Sequence, residues 1–308
     1  MKNGEFEIHS ITFEGDVRLT ELQLISTDRL LRHDQVTKFS LVLNGVDNEA
    51  LHAKLSAFCR KNISESLLHK IEFRASHELI SSTGNGWRDQ QTLKLASIAA
   101  SRAQWVILLD AKNHFTCRSS VEDFFIDNKA KTNRGSIPPA LIGYLKASIE
   151  YFGLDAVELS KRAMPTITPY ALRPDLVRLL LGYISTQSKT KAEIAFNKNV
   201  SLSKATEFFL YYAFLAKLDA IDEYYCHAPR LCETLFTVWP QEPQTATQML
   251  AAVKDGRFSM LGLHRNRLPQ LTGEHKTIIR KIWEPLILPD PADYYMSNPA
   301  QPIADAQF

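Results

Sequence analysis

The run Trp105-Val106-Ile107-Leu108-Leu109 is apolar at consecutive positions and closes on Asp110. It is too short for a core helix and has no polar face. Such a run predicts an interior strand of a parallel sheet, covered by helices on both sides. Upstream, β-rich stretches alternate with helical periodicity. Residues 6–13 read as a first strand, broken at Gly15. Leu19, Leu22, Leu24, Ile25 and Leu30 then follow at helical spacing. Residues 36–45 read as a second strand, with Phe39, Leu41 and Leu43 on one face. Asp47 is placed to cap a helix carrying Leu51, Leu55 and Phe58. Residues 67–73 form a third strand candidate, and 81–86 a Ser- and Gly-rich loop. A helix over 87–102 leads into the apolar run. Repeated strand–helix units predict an α/β chain with a Rossmann-like, mostly parallel sheet.

Beyond residue 115 helices dominate, at 138–151, 174–185, 201–218 and 272–283. Short strand candidates lie at 235–239 and 258–263. The polar stretch 115–137 is expected to be a mobile loop near the site. Five of the 14 prolines fall between residues 285 and 302, which predicts an extended or disordered tail. The expected organisation is an α/β part over 1–120, a mainly helical part of the same domain over 121–285, and a tail over 286–308.

Composition narrows the function classes. With 45% hydrophobic and 23% charged residues, the 308-residue chain can build a large core. Its 36 Lys+Arg against 34 Asp+Glu leave a net charge of +2, so nucleic acid is not the expected partner. No apolar run approaches the roughly 18–20 residues of a membrane span. The first residues, Met1 to Phe6, lack the apolar core of a signal peptide. Cys59, Cys117, Cys226 and Cys232 fall in no CxxC pair, so reduced thiols and a cytoplasmic location are expected.

In open α/β sheets, ligands bind beyond the carboxyl ends of the strands, which singles out Asp110. The segment Asp110-Ala111-Lys112-Asn113-His114-Phe115 has Lys where a haloacid-dehalogenase-type site needs a second Asp. Gly84-Asn85-Gly86-Trp87 does not end as a P-loop does, and no GxGxxG follows the first strand. GxSxG and HExxH are absent too.

Three segments stand in a distinctive order: Gly86-Trp87-Arg88-Asp89-Gln90-Gln91-Thr92-Leu93-Lys94-Leu95, the strand ending in Asp110, and Thr206-Glu207-Phe208-Phe209-Leu210-Tyr211. Over roughly residues 8–285 this order resembles a bacterial family of unknown function that looks like GT-A-fold glycosyltransferases. The resemblance implies a GT-A-like fold whose first 120 residues bind a nucleotide-sugar. It implies glycosyl transfer to a glycan or small hydroxylated acceptor in surface-polysaccharide synthesis. GT-A enzymes usually end this strand in Asp-x-Asp, whose carboxylates hold Mn²⁺ or Mg²⁺ against the leaving diphosphate. Here Lys112 replaces the second Asp, and two schemes follow. Asp110 holds a metal, with Asn113 and a late His264 completing the shell. Or the site works without metal, Lys112 neutralising the phosphate as a point charge. The bland alternative is an Asp110 that caps its loop beside a solvated Lys112.

Arg265 follows a short strand candidate and suits a diphosphate contact. Glu207 shares a helical face with Leu210, Tyr211, Phe214 and Leu218, so it is the candidate base, or else a structural carboxylate with a partner. Gln91, Lys94 and Ile98 share a face of the 87–102 helix, with Gln90 one step round. Gln90, Gln91 and Lys94 suit an anionic donor, and Trp87 suits stacking on a base or sugar. Helix packing by Trp87 and a solvated Lys94 compete with that reading. The resemblance places Asp16 in the nucleotide pocket. Asn44, at the second strand's end, is a weaker candidate; turn or cap roles fit both. Two further function classes stay open. One is a non-catalytic nucleotide- or glycan-binding protein. The other is a nucleotidyltransferase, for which the acidic Phe13-Glu14-Gly15-Asp16 stands where a basic glycine-rich loop is usual.

Overall fold

The computed structural model describes residues 6–82, 86–135, 137–198, 202 and 204–297. Its centre is a five-stranded sheet in the order Tyr170–Leu172, Trp105–Asp110, Phe6–Thr12, Val36–Leu43, Ile71–Ala75. The last four strands are mutually parallel, and Tyr170–Leu172 runs antiparallel to Trp105–Asp110. The Trp105–Asp110 strand is interior, and its first five residues are buried. The third strand starts later than the sequence pattern suggests. Leu67 and Leu68 close a single helical turn, Glu65–Leu68, and pairing begins at Ile71.

Helices cover both faces, and neighbouring residues of one strand show it. Leu43 packs with Leu51 and Leu55 of the Asn48–Asn62 helix. Val42 points the opposite way and packs with Leu93 of the Gly86–Ala99 helix. Chain order explains the two-sided cover. The sheet grows outward from Phe6–Thr12 through Val36–Leu43 to Ile71–Ala75, then returns to the other side of Phe6–Thr12 with Trp105–Asp110. That reversal makes a switch point between Phe6–Thr12 and Trp105–Asp110, where two connections leave in opposite directions.

A second, three-stranded sheet sits just past this point. Met260–Leu263 pairs with Cys232–Leu235 on one side and with Asn113–Phe115 on the other. Gly262 permits the close approach, because a Cβ there would lie 2.6 Å from Thr234 Oγ1. These strands are shorter than, and shifted from, the stretches 235–239 and 258–263 that the pattern suggests.

Three expected features fold differently. The stretch 115–137 is not a loose loop beside Asp110. It holds Phe125–Ile126 and Lys129–Thr132, which form a small sheet with Tyr225–His227. Phe125 packs on Phe6 and Trp105, with ring centroids 4.9 and 5.3 Å away, at the amino ends of the strands and far from their carboxyl ends. The helix expected from residue 201 begins at Glu207, with Thr206 as its cap; residues 201 and 203 lie outside the described residues. The proline-rich end is folded as far as Ser297. Tyr295 and Met296 are buried, and the Arg18 guanidinium lies 4.3 Å from the Tyr294 ring centroid. Aromatic burial there outweighs the extending effect of the prolines. The rest of that stretch, from residue 298, lies outside the described residues. No helix among them is long and apolar enough to cross a membrane.

Candidate functional site at the sheet switch point

Asp110 ends its strand paired with Ile11 of the neighbouring strand, so its carboxylate stands at the switch point. The turn that follows is fastened from below. Gln23, buried between Leu22 and Leu24 in the Val17–Leu30 helix, donates Nε2–H to the carbonyls of Asp110 (2.8 Å) and Asn113 (2.9 Å). Asn113 Oδ1 accepts the Asp110 amide at 2.9 Å. The Thr168 hydroxyl lies 2.9 Å from Asp110 Oδ2 and 2.6 Å from Asn113 Oδ1. Asn113 is completely buried, so it fixes the turn and does not face a ligand.

Two ammonium groups clamp the Asp110 carboxylate. Lys94 Nζ is 2.9 Å from Oδ1, and Lys112 Nζ is bonded to Oδ2. Lys94 also reaches Glu207 Oε1 at 3.2 Å. Lys94 is therefore buried between two carboxylates, where the helix pattern alone leaves it solvated or facing a donor. Glu207 opens a helix that is apolar all round, as a fully buried helix must be. Burial pushes the Asp110 carboxyl up, but Lys112 and Lys94 outweigh it and hold the group well below the usual carboxylate range. Burial likewise works against the Lys94 charge, yet Asp110 and Glu207 raise its pKa above the ordinary lysine value.

A second charged pair lies beside this clamp. Asp16, in the turn after Phe6–Thr12, is 3.5 Å from Arg265 Nη1. The Arg265 guanidinium also sits 4.5 Å from the Phe13 ring centroid. Asp16 keeps 17% of its side-chain surface, but enough protein surrounds it for desolvation to dominate. Burial thus raises its pKa to about 6, against the pull of Arg265 and Lys112. The second sheet brings His264 and Arg265 here, through Leu263 N–H to Lys112 O at 3.0 Å and His264 N–H to Leu235 O at 3.0 Å. His264 Nδ1 lies 2.8 Å from Thr237 Oγ1 and accepts the Asn266 amide at 3.3 Å. Burial, with Lys112 and Arg265 nearby, lowers its pKa to about 4. The ring is therefore neutral near pH 7.

The set Asp110, Asn113 and His264 does not fit a divalent cation. Each Asp110 oxygen faces an ammonium, Asn113 Oδ1 is spent on the turn, and His264 Nδ1 is taken up by Thr237 and the Asn266 amide. Among the described residues no cluster of three or more His, Cys, Asp or Glu side chains is placed to hold a metal ion.

Of the expected site residues, Asp16, Lys94, Asp110, Lys112, Glu207, His264 and Arg265 converge. Gln91 is buried one turn before Lys94, and its Oε1 has no protein partner among the described residues. Gln90 is half-buried beside it. Trp87 is 37% exposed, edge-on to Tyr144, and lies about 10 Å along the helix from Lys94. Asn44 stays on the rim, its amide bonded to Thr12 O at 2.8 Å. Glu207 is occupied by Lys94 and only 6% of its side chain is exposed, so it does not stand ready to take a proton from an acceptor. Gln23, Thr168 and Thr237 carry no motif. Only Gln23 had a signal, as a lone amide between Leu22 and Leu24.

The site thus offers three cations and three carboxylates around the carboxyl ends of the two strands at the switch point. Such a place can bind and neutralise an anion, and two of its cations, Lys112 and Arg265, are half-buried rather than sealed. No curated protein matches the chain. The sequence profile of a family of unknown function, DUF6492, matches residues 7–260, and the protein belongs to that family.

Proposed function

We propose that the chain is a glycosyltransferase that takes its sugar from a nucleotide-diphospho-sugar and passes it to a glycan or small hydroxylated acceptor. The observation that carries this reading is the gathering of Lys112, Arg265 and Asp16 around Asp110 at the switch point. The resemblance of its three segments to a family that looks like GT-A glycosyltransferases supports the same reaction. In that reaction the anomeric carbon exchanges the diphosphate oxygen for an acceptor oxygen, the acceptor hydroxyl gives its proton to the leaving diphosphate or to solvent, and negative charge grows on the leaving diphosphate. Lys112 and Arg265 are the residues to meet that charge, and preorganised cations act most strongly where charge develops. Lys94 and Glu207 are positioning residues that keep Asp110 ionised and in place. The orphaned Gln91 Oε1 suits a hydroxyl of the donor. Because the donor set does not fit Mn²⁺ or Mg²⁺, no step is assigned to a metal.

The test is a thermal-shift screen with UDP-, GDP-, CMP- and TDP-sugars, with and without Mn²⁺. A correct donor at a hundredfold excess over its Kd stabilises by about 2.7 kcal/mol. Turnover should survive EDTA. Lys112→Ala should lower it roughly a hundredfold to a thousandfold while leaving the fold intact. An EDTA-sensitive enzyme whose Lys112→Ala variant keeps full activity would overturn the lysine scheme. The pre-neutralised Asp110 favours one second reading, a non-catalytic nucleotide or glycan binder. That protein would show the donor shift with no transfer and no donor hydrolysis.

A further inference from the structure

The turn at residues 236–240 is unusual in what it spends and what it displays. Phe236 N–H bonds to Trp239 O at 2.8 Å, closing the turn. Thr237 is tied to His264, and buried Arg267 donates to Pro240 O at 2.8 Å. The backbone on both sides of Trp239 is therefore fixed. Yet the two side chains this scaffold presents are Val238, 69% exposed, and Trp239, 48% exposed. Among the described residues the indole has one aromatic neighbour, Phe236, at 6.4 Å between centroids. Phe236 in turn lies beneath the Lys112 ammonium, 6.0 Å from it. The turn is thus continuous with the charged site, through Phe236 to Lys112 and through Thr237 to His264.

An indole carried on a fixed backbone at the wet rim of a polar site is suited to one kind of ligand. It offers a flat apolar face, loses little entropy on contact, and leaves polar groups around it free to hydrogen-bond. A pyranose ring has that profile, with C–H groups on one face and hydroxyls at its edge. We propose that Trp239, flanked by Val238, is the stacking platform for a pyranose ring of the acceptor, and that the His264 ring, tied to the same turn through Thr237, is a hydrogen-bond partner of one of its hydroxyls. This rests on the glycosyltransferase reading. Placement of the ring on this turn would set the acceptor oxygen on the Lys112 and Arg265 side of Asp110.

The experiment uses the full chain and a panel of cellobiose, maltose, lactose, chitobiose and octyl β-glucoside. Binding is read by tryptophan fluorescence and by ligand-observed NMR, on wild type, Trp239→Ala and Trp239→Phe. At least one saccharide should bind the wild type. Trp239→Ala should weaken it roughly tenfold or more, and Trp239→Phe should recover part of the loss. Both variants should keep the wild-type melting temperature and the nucleotide-sugar thermal shift, because the ring packs on Phe236 alone among aromatic side chains. Equal saccharide affinity in wild type and Trp239→Ala, or no saccharide binding in the wild type, overturns the proposal. The two readings fail separately. A donor shift without a Trp239 effect sinks only the platform. Trp239-dependent saccharide binding with no donor shift sinks the transferase and leaves a glycan-binding protein.

Discussion

Replacing Lys94 by Met is the sharpest test of how the site is held together. The Lys94 side chain is 11% exposed, and its ammonium lies 2.9 Å from Asp110 and 3.2 Å from Glu207. Asp110 keeps Lys112 when Lys94 is lost, but Glu207 loses its one ion-pair partner among the described residues. Breaking a buried pair from one side costs about 3–5 kcal/mol, because the other charge stays desolvated and unpaired. At the unfolding entropy usual per residue, a chain of this length loses about 0.65 kcal/mol per degree, so the melting temperature should fall roughly 5–8 °C. Urea unfolding at pH 7.5 measures the free energy, and the midpoint should move without a change in slope. Adding Glu207→Gln removes the stranded charge, so the double variant should recover about half the loss or more. Lys161→Met is the control. Its partner Glu158 is 70% exposed and Lys161 64%, and such pairs contribute at most about 0.5 kcal/mol. A Lys94→Met protein within about 1 kcal/mol of wild type, or a double variant no more stable than the single one, would refute the reasoning.

Two other perturbations have signs fixed by the structure. Burial raises the Asp16 carboxyl to about 6, above its unfolded value, so the folded chain holds this proton more tightly. Its ionisation therefore costs stability, a penalty absent below about pH 4 and fully present above about pH 6. Asp16→Asn should raise unfolding stability by about 3 kcal/mol at pH 8 and by little near pH 4; a pH-independent difference would contradict this assignment. Arg88 is buried and donates to the carbonyls of Phe196, Leu202 and Ala205, so Arg88→Met should destabilise by at least about 3 kcal/mol. Hydrogen exchange should quicken in the Ala192–Lys198 helix well before it changes in Phe6–Thr12, and uniform quickening would count against a local role.

The sheet was legible because its signal is local. Five apolar residues before Asp110 and the alternation in Val36–Leu43 need no distant partner to be recognised. The edge strand Tyr170–Leu172 and the pair Cys232–Leu235 and Met260–Leu263 are three or four residues long, too short to carry a period. Lys94 shows why the site was only partly legible. A lysine stem is apolar enough to share a helix face with Ile98, and nothing nearby in sequence says whether its head meets water or protein. Its burial depends on Glu207, which is 113 residues away in the chain. Asn113 was misread for the same reason. An amide beside an acid fits a metal shell as well as it fits a turn, until Thr168 is seen to close the turn.

The two lysines on Asp110 are not equivalent, and their difference says where an anion would sit. Lys94 cannot leave without stranding Glu207 in a buried position. Lys112 can leave, because Asp110 would still have Lys94 and the turn that carries Lys112 is fixed through Asn113 rather than through the ammonium. An arriving phosphate oxygen could therefore take Lys112 from Asp110 at little cost in buried charge. Arg265 can leave Asp16 by a different route, because the Asp16 carboxyl, raised to about 6, can take up a proton as the guanidinium departs. Both releasable cations lie on the Asp16 and His264 side of Asp110. The Lys94–Glu207 side is sealed under the Glu207–Lys217 helix. A diphosphate at this site would thus sit between the ends of Phe6–Thr12 and Trp105–Asp110, over the switch point, with Lys94 and Glu207 as its fixed foundation.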